Sequence, residues 1–316
     1  MNILLLETIA PEAHDLLEAS ATLLMAETPG SGPKLARAND IHAIVTRGKG
    51  DVSAELIDLC PNLRVIARCG VGLDNVDVKH ATKRGVQVIN APGSNADTVA
   101  EHTLNLMLSL QRQTFAAATA VKAGNWAFRT SFSGDEIRGK TLGIMGFGNI
   151  GQRVKNLALA FGMQVLHMAH PQVPAKLDGK DARQLPDLLA ECDIISVHLP
   201  LRATTRQLLN AEALAHLRPG ASIINTARAE IIDETALLSG LQSGAIGGYA
   251  SDVLGLDGEA RAALLALPNV LVTPHAASLT ANTYREICLI SVRNTMAVLN
   301  GQAIDRHYLF NGAALG

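Results

Sequence analysis

Polar residues follow three successive apolar segments in the second half of the chain. Arg228 comes shortly after Ile223-Ile224-Asn225, Asp252 and Asp257 come after Tyr249-Ala250-Ser251, and His275 comes after Leu271-Val272-Thr273. A planar guanidinium binds a carboxylate or a carbonyl through paired hydrogen bonds. A histidine exchanges a proton near neutral pH. Together these residue types predict a site that orients a small anion and moves one proton.

Each of these residues alone also has a plain structural explanation. Arg228 could cap a surface, Asp252 could begin a turn, and His275 could be a hydrogen-bonded core histidine. Open parallel sheets, however, bind ligands beyond the carboxyl ends of their strands. Three such positions beside a nucleotide-type glycine loop therefore favour the catalytic interpretation.

The glycine loop is a GxGxxG motif formed by Gly146, Gly148 and Gly151, directly after the apolar segment Thr141–Met145. The first glycine permits a tight turn, the second lets the backbone approach a pyrophosphate, and the third allows helix and strand to pack closely. The following segment has apolar residues at helical spacing, namely Val154, Leu157, Ala158 and Phe161. An ordinary glycine turn is the alternative, but this strand-loop-helix context favours a dinucleotide site.

A second feature of such sites is missing. A carboxylate is expected about 20 residues further on, where it would bind the adenine ribose. Here the segment 165–171 reads Val-Leu-His-Met-Ala-His-Pro, without Asp or Glu. His170 could contact a 2′-phosphate, although no arginine accompanies it and a solvated surface histidine is the alternative. We expect NAD as the cofactor and leave NADP open.

Short apolar segments alternate with amphipathic segments along the whole chain, which predicts a parallel α/β architecture. The first third contains four strand candidates: Ile3–Leu6, Ala43–Thr46, Arg64–Ala67 and Val86–Asn90. The second unit contains six, spaced as in a doubly wound sheet: Thr141–Met145, Gln164–Met168, Ile194–Leu199, Ala221–Asn225, Gly248–Ser251 and Val270–Thr273. One long helix, from about Asp97 to Gly124, is predicted to connect the two units, and a final helix near Asn282–Leu299 to pack on the first.

Composition excludes several functional classes. A net charge of -2 without a basic run argues against nucleic-acid or membrane partners. Only four consecutive apolar residues precede Glu7, so we expect no signal peptide, and no segment reaches the ~18 apolar residues of a membrane span. The four cysteines are scattered and form no CxxC motif, which argues against a disulfide scaffold and a zinc site. We expect a cytoplasmic protein without a metal, acting on a small molecule.

A set of motifs along nearly the whole chain carries a family resemblance. They are Arg68-Cys69-Gly70-Val71-Gly72-Leu73-Asp74-Asn75-Val76-Asp77, Asn90-Ala91-Pro92-Gly93-Ser94-Asn95, Ala100-Glu101-His102, the glycine loop, Asn225-Thr226-Ala227-Arg228-Ala229-Glu230 and Thr273-Pro274-His275. In these the chain resembles the D-isomer-specific 2-hydroxyacid dehydrogenase family, and within it the phosphoglycerate dehydrogenase branch without regulatory extensions. The resemblance implies a Rossmann NAD-binding domain at 98–282, inserted in a flavodoxin-like substrate domain formed by 1–97 and 283–316.

The resemblance also assigns roles. Arg228 would orient and polarise a 2-oxo acid, His275 would be the acid and base, and Asp252 would hold the nicotinamide carboxamide while a hydride moves between the substrate C2 and the nicotinamide ring. The full set of expected cofactor contacts is Thr98, Gly146, Gly148, Asn149, Ile150, Gly151, His198, Pro200, Thr226, Ala227 and Asp252.

Two further segments would bind the substrate. The backbone N–H groups of Gly70-Val71-Gly72 would hold its carboxylate, with a strand-ending turn as the alternative. Arg47 would meet its distal group, such as a phosphate, with a solvated surface arginine as the alternative.

The chain departs from the family pattern behind the histidine. The family has a glutamate five residues after the aspartate, followed by proline, whereas this chain has Asp257 and no proline. A carboxylate bonded to one imidazole nitrogen fixes the tautomer, and Asp257 is one methylene shorter. Asp257 is therefore the expected partner of His275, with Glu259 as the alternative. Ala229 replaces the usual glycine after the arginine.

The implied function is reversible oxidation of a small anionic (R)-2-hydroxy acid. The expected substrate is of the 3-phosphoglycerate type, with hydroxypyruvate and glyoxylate as alternatives. A different class remains open, an NADH-sensing interaction protein similar to the family's transcriptional corepressors. The resemblance further implies a homodimer formed through the helix at 97–124.

Overall fold

The computed structural model describes residues 1–169 and 179–315 of the chain. The chain divides into two compact units, one formed by Met1–Asn95 with Leu279–Gly316 and the other by Ala96–Ser278. The boundaries expected from the sequence, after residues 97 and 282, lie a few residues further along the chain. The catalytic candidates thus fall in the second unit, and Arg47 and Gly70-Val71-Gly72 in the first.

The first unit contains a five-stranded parallel sheet in the order β2-β1-β3-β4-β5, which is the flavodoxin-like order. Its strands are β1 (Asn2–Leu5), β2 (Thr22–Met25), β3 (Ile41–Thr46), β4 (Val65–Arg68) and β5 (Gln87–Ile89). Its helices are α1 (Pro11–Glu18), α2 (Gly32–Ala38), α3 (Ala54–Asp58), α4 (Val78–Lys83) and, after the second unit, α12 (Ala281–Leu299) and α13 (Gly312–Leu315). Sequence analysis missed β2, an edge strand with no fully buried residue.

Buried apolar residues cover both faces of this sheet. One cluster joins Leu5, Val45 and Ala67 to the inner face of α12, including Cys288 and Val292. The other cluster packs Leu4, Ile44 and Ile66 against the helices of the opposite face. The prediction that the final helix packs on the first unit is therefore confirmed.

The second unit contains a seven-stranded parallel sheet in the order β12-β11-β10-β9-β6-β7-β8. Its strands are β6 (Thr141–Met145), β7 (Gln164–Met168), β8 (Ala182–Arg183), β9 (Ile194–Val197), β10 (Ser222–Asn225), β11 (Gly248–Ser251) and β12 (Val270–Val272). Its helices are α5 (Ala96–Gln111), α6 (Thr114–Lys122), α7 (Asn149–Ala160), α8 (Leu185–Glu191), α9 (Ala211–Leu214), α10 (Glu234–Ser243) and α11 (Gly258–Leu265). The strand order reverses at β6, as in Rossmann sheets. The doubly wound fold is confirmed, although the predicted six strands were one too few.

The single helix predicted from Asp97 to Gly124 was wrong. The chain instead forms α5 and α6, and Gln113 between them adopts a left-handed conformation with φ of 48°. No glycine or proline marks this break in the sequence, so pattern alone could not locate it. Across residues 1–169 and 179–315, no helix combines the length and the apolar character needed to cross a membrane.

Candidate active site

Five adjacent strands of the second unit end beside one another. Their terminal residues are in register: Met145 with Val197, Val197 with Asn225, Asn225 with Ser251, and Ser251 with Val272. The segments that follow carry the glycine loop, His198, Arg228, Asp252 and His275, in that order across the sheet. The sheet therefore brings these predicted site residues to one edge.

The glycine loop has the geometry that a pyrophosphate site requires. A Cβ on Gly151 would lie 2.1 Å from the carbonyl oxygen of Gly146, so only glycine lets the loop and helix α7 approach this closely. Gly146 has φ of 100°, which other residues rarely adopt. A Cβ on Gly148, by contrast, would have no described atom within 4 Å. Gly148 caps α7 without a side-chain bond, which leaves the first N–H groups of the helix for a phosphate. These residues fit a dinucleotide.

The end of β7 presents no carboxylate. His167 is buried there and stacks on Phe147, with ring centroids 4.3 Å apart and planes inclined by 12°. This pair packs the glycine loop against β7. His170, the predicted neighbour of a 2′-phosphate, lies outside the described residues, so its role stays a prediction.

His198 and Thr226, two predicted cofactor contacts, belong to one hydrogen-bond network. The ring nitrogen Nε2 of His198 lies 2.8 Å from Ser196 Oγ, and Nδ1 lies 3.5 Å from Thr226 Oγ1. Thr226 Oγ1 in turn lies 3.1 Å from Thr103 Oγ1 on α5. Burial lowers the pKa of His198 to about 3, so its ring is neutral at physiological pH. The cofactor contacts of this network, and those of Thr98, Pro200 and Ala227, stay predictions.

Arg228 is half-buried and is presented by a turn that Asn225 organises. The Asn225 side chain accepts a hydrogen bond from the Ala227 N–H at 2.9 Å and donates one to the Arg228 carbonyl at 3.0 Å. The guanidinium Nη1 donates to the Ala227 carbonyl at 2.8 Å. Asn225 is fully buried at the end of β10. It was part of a quoted motif, but sequence analysis gave it no role.

Asp252 holds the turn that presents His275. Its buried carboxylate accepts hydrogen bonds from Thr273 Oγ1 at 2.5 Å and from the backbone N–H groups of Ala276 at 2.8 Å and Ala277 at 2.7 Å. Its carbonyl accepts from the His275 N–H at 3.0 Å. His275 has φ of 57°, and its side chain is exposed. Asp252 therefore fixes the backbone on both sides of the histidine, a role that the sequence did not suggest. Its predicted bond to the nicotinamide is untested.

Asp257, the predicted partner of the His275 imidazole, lies in the loop before α11. Asp257 is exposed at the residue before α11, and among the described residues neither Asp257 nor Glu259 forms a hydrogen bond or ion pair with His275. The loop that carries Asp257 is held by Glu234, whose carboxylate accepts from the Gly255 N–H at 3.0 Å. Burial raises the pKa of Glu234. The pairing of Asp257 with His275 stays a prediction.

In the first unit, Gly70-Val71-Gly72 has two available backbone donors. Gly70 has φ of 152°, and a Cβ there would lie 1.2 Å from Arg68 Nη1. The carbonyls of Gly70 and Val71 accept from the Ala91 N–H at 2.8 Å and from Asn90 Nδ2 at 2.7 Å. No acceptor among the described residues takes the N–H of Val71 or Gly72. Two such donors suit the predicted role in carboxylate binding, which stays a prediction.

Arg47 lies in a loop that the carboxylate of Glu7 holds in place. Glu7 accepts hydrogen bonds from four consecutive N–H groups, those of Arg47, Gly48, Lys49 and Gly50, at 2.7 to 3.0 Å. Burial opposes ionisation, but these bonds outweigh it and lower the pKa of Glu7 to about 2. Arg47 Nη1 donates to Tyr284 Oη and to the Thr8 carbonyl, both at 3.2 Å. Sequence analysis missed Glu7, although a carboxylate directly after an apolar strand was a usable signal.

Comparison with known proteins gives matches to one family. A sequence model described as D-isomer specific 2-hydroxyacid dehydrogenase, NAD binding domain, matches residues 104–277. The chain is 40% identical to hydroxypyruvate reductase of Thermotoga maritima over 78% of this chain and 81% of that protein. It is also 40% identical to D-3-phosphoglycerate dehydrogenase of Mycobacterium tuberculosis over 88% of this chain, but it matches only 53% of that protein's length.

A solved structure shows the same likeness over nearly the whole chain. It is the NADPH-dependent glyoxylate/hydroxypyruvate reductase of Sinorhizobium meliloti, with a TM-score of 0.86 and 30% identity over 96% of each chain. The chain belongs to the D-isomer-specific 2-hydroxyacid dehydrogenase family. Its class is therefore that of NAD(P)-dependent oxidoreductases acting on CH–OH groups.

The glycine loop gives a paired prediction. Gly151→Ala should destabilise the chain by about 1–3 kcal/mol because its methyl group collides with the Gly146 carbonyl. Gly148→Ala should leave the thermal midpoint close to wild type but weaken NADH at least about tenfold, because its methyl group occupies the space of the phosphates. Thermal unfolding and NADH fluorescence titration measure the two effects.

Gly30→Ala is the matched control, since Gly30 is exposed and its Cβ would also meet open space. It should change neither quantity. Wild-type NADH affinity in Gly148→Ala would contradict the phosphate site.

Proposed function

We propose that the chain catalyses reversible hydride transfer between NAD(H) and a small anionic (R)-2-hydroxy acid. The observation that carries the proposal is the turn held by Asp252, which presents His275 from the strand edge that also carries Arg228 and the glycine loop. This edge combines an anion-binding guanidinium, a group that exchanges protons, and a dinucleotide loop.

Each residue has a proposed task in the reaction. NAD(H), when bound, supplies or accepts the hydride, and the glycine loop with the first turn of α7 holds its phosphates. Arg228 binds the substrate carboxylate and polarises the carbonyl through charge-assisted hydrogen bonds. His275 donates a proton to the carbonyl oxygen during reduction and accepts it during oxidation. Asp257 would orient the imidazole. The N–H groups of Val71 and Gly72 would bind the substrate carboxylate as well.

The proposed substrate is of the 3-phosphoglycerate type. This substrate proposal is supported by positive charge at the ends of two adjacent strands. Arg47 directly follows β3 and Arg68 ends β4. The two strand ends are in register, with Thr46 opposite Arg68. Relatives named for phosphoglycerate and for hydroxypyruvate both match at 40% identity. Hydroxypyruvate and glyoxylate therefore remain the alternatives. NAD is proposed over NADP from the NAD-binding family match, although one structural neighbour is NADPH-dependent.

Two variants test the catalytic roles. His275→Gln and Arg228→Gln should each lower kcat/KM by at least about 1,000-fold, because each removes a group that acts on the reacting carbonyl. NADH affinity should change little, since neither residue lies in the glycine loop. Steady-state NADH oxidation and NADH fluorescence titration measure both.

Asp257→Asn and Glu259→Gln test which of the two carboxylates orients the His275 imidazole. Only Asp257→Asn should slow turnover. Near wild-type kcat/KM in His275→Gln or Arg228→Gln would refute the assigned roles.

The same assay identifies the substrate and cofactor. NADH and NADPH are each tested with 3-phosphohydroxypyruvate, hydroxypyruvate, glyoxylate and pyruvate. The proposal expects the highest kcat/KM for 3-phosphohydroxypyruvate with NADH, and Arg47→Gln should raise its KM more than that of glyoxylate. NADH binding without oxidation by any of the four acids would favour the NADH-sensing interaction protein instead.

We also propose that the chain forms a homodimer through the α6 region. None of the residues of α6 is buried. Phe115 within α6 is 69% exposed, and Trp126, which follows it, is 74% exposed. Such a surface is typical of a protein interface. Sedimentation equilibrium should give twice the chain mass of 33.3 kDa, and Trp126→Ser should weaken association. A monomer at micromolar concentration would contradict this proposal.

A cytoplasmic location is the remaining proposal. Its support is that Cys60, Cys69, Cys192 and Cys288 are all free and buried, which suits a reducing compartment. Fractionation of cells that produce the protein tests it, and recovery in a membrane or secreted fraction would contradict it.

A further inference from the structure

The motif Ala100-Glu101-His102 has no part in the proposed reaction. It lies in α5, where Ala100 is buried, Glu101 is exposed and the His102 side chain is 19% exposed. The ring nitrogen Nε2 of His102 lies 3.0 Å from Oγ1 of Thr273, the residue that follows β12. The histidine of the motif therefore reaches the strand edge that carries the candidate active site.

The Thr273 hydroxyl connects His102 to Asp252. It lies 2.5 Å from Asp252 Oδ1, whereas His102 Nε2 is 3.7 Å from the same oxygen, which is too far for a direct hydrogen bond. A hydroxyl has one proton, and an ionised carboxylate only accepts hydrogen bonds. Thr273 therefore donates its proton to Asp252, and the His102 ring carries a hydrogen on Nε2 that it donates to the Thr273 oxygen. The three side chains form one directed chain of hydrogen bonds.

The far end of this chain is the turn that presents His275. The Asp252 oxygen that accepts from Thr273 also accepts from the Ala276 N–H at 2.8 Å, and its second oxygen accepts from the Ala277 N–H at 2.7 Å. Hydrogen bonds in such chains polarise and strengthen one another. The donor on His102 therefore stabilises the hydrogen bonds that fix the backbone after His275.

The end of β12 needs support from outside the sheet. Among the described strands β12 is an edge strand that pairs with β11 alone, and all three of its residues are only half-buried. Pro274, after Thr273, has no N–H to donate. His275 then adopts φ of 57°, which few non-glycine residues occupy. The His102 bond to Thr273 ties this exposed segment to α5.

Helix α5 is a firm support for that bond. Its buried side chains pack over the central strands of the second unit, in a cluster that includes Ala100, Leu104, Met107, Ile144, Ile224 and Ala250. Thr103, the residue after His102, lies 3.1 Å from the hydroxyl of Thr226, in the turn that presents Arg228. Two consecutive residues of α5 thus contact the segments that carry the two proposed catalytic residues.

We propose that His102 is a positioning residue, which holds the proton-exchanging His275 in place through Thr273 and Asp252. His102 acts as a fixed hydrogen-bond donor, and no proton moves along the chain. Its effect on turnover rests on the proposed function, whereas its effect on the turn after His275 does not.

Hydrogen exchange of the full-length protein tests the support of the turn without any substrate. His102→Leu removes the donor and keeps an apolar side chain, so peptides covering residues 273–278 should exchange at least about fivefold faster than in the wild type. Peptides covering β6 should be unchanged. Thr273→Val should give the same change, which tests the link from its other end. Thermal unfolding shows whether each variant is folded.

Two variants serve as controls for the exchange experiment. His102→Gln keeps an N–H donor near the position of Nε2 and should restore slow exchange. His216→Leu makes the same chemical change at an exposed histidine of the second unit and should have no effect.

Steady-state kinetics with the best 2-oxo acid measures the consequence for turnover. His102→Leu and Thr273→Val should each lower kcat about tenfold and change KM by less than about threefold, because a displaced His275 affects the transition state more than substrate binding. The double variant should be no slower than the slower single variant, since both changes break the same chain. Thr273→Ser and His102→Gln should each stay within about threefold of the wild-type kcat.

Wild-type exchange of residues 273–278 in folded His102→Leu overturns the proposal. Multiplied losses of kcat in the double variant also overturn it, because His102 would then act independently of Thr273. A loss that His102→Gln does not restore would mean that His102 only fills space, which again contradicts the proposal. Faster exchange in His102→Leu, together with a wild-type protein that reduces none of the 2-oxo acids, leaves the support of the turn established and refutes the proposed function alone.

Discussion

The carboxylate of Asp252 is the interaction on which the site of the second unit depends. It is 1% exposed and accepts three hydrogen bonds, from Thr273 Oγ1 and from two backbone N–H groups that follow His275. Hydrogen bonds to a charged group contribute about 1.5–3 kcal/mol each, and a buried donor left without its acceptor costs a similar amount. These bonds stabilise a turn in which His275 adopts φ of 57°, a conformation that non-glycine residues rarely occupy.

Contacts between neighbouring strands connect the Asp252 turn to the other functional segments. Ser251, just before Asp252, donates through its hydroxyl to the Asn225 carbonyl at 2.9 Å, and Asn225 shapes the turn of Arg228. Because β6 and β9 to β12 are parallel and in register at their ends, the glycine loop lies at the same edge. In the first unit Glu7 has a comparable role, since its single carboxylate gathers the four N–H groups that begin at Arg47. Each unit thus uses one carboxylate to fix a loop of otherwise unpaired backbone donors.

The sequence predicted those features that depend on local pattern. Strands such as Thr141–Met145 and Gly248–Ser251 were located to the residue, because buried apolar segments bounded by glycine and polar residues identify central strands. The edge strands β2 and β8 were missed, because β2 has no fully buried residue and β8 is only two residues long. The break at Gln113 was missed because no glycine or proline marks it in the sequence.

In the candidate site too, some features were predictable from local sequence pattern and others were not. Residue types and position after strands identified Arg228 and His275, and spacing identified the glycine loop. The organising roles of Asp252, Asn225 and Glu234 were not predictable from the sequence. Asp252 and Glu234 accept hydrogen bonds from backbone groups more than 20 residues away along the chain. The role of Asn225 depends on the geometry of its turn.

The most direct test of this account is the rate of a single turnover of Asp252→Asn with saturating NADH and a 2-oxo acid. An amide nitrogen in place of one carboxylate oxygen faces the N–H donors that follow His275, so the turn should rearrange. The account predicts a rate lower by at least about 100-fold, with Asp187→Asn, an exposed control on α8, unchanged. A rate for Asp252→Asn within about threefold of wild type, equivalent to less than about 0.7 kcal/mol, would contradict it.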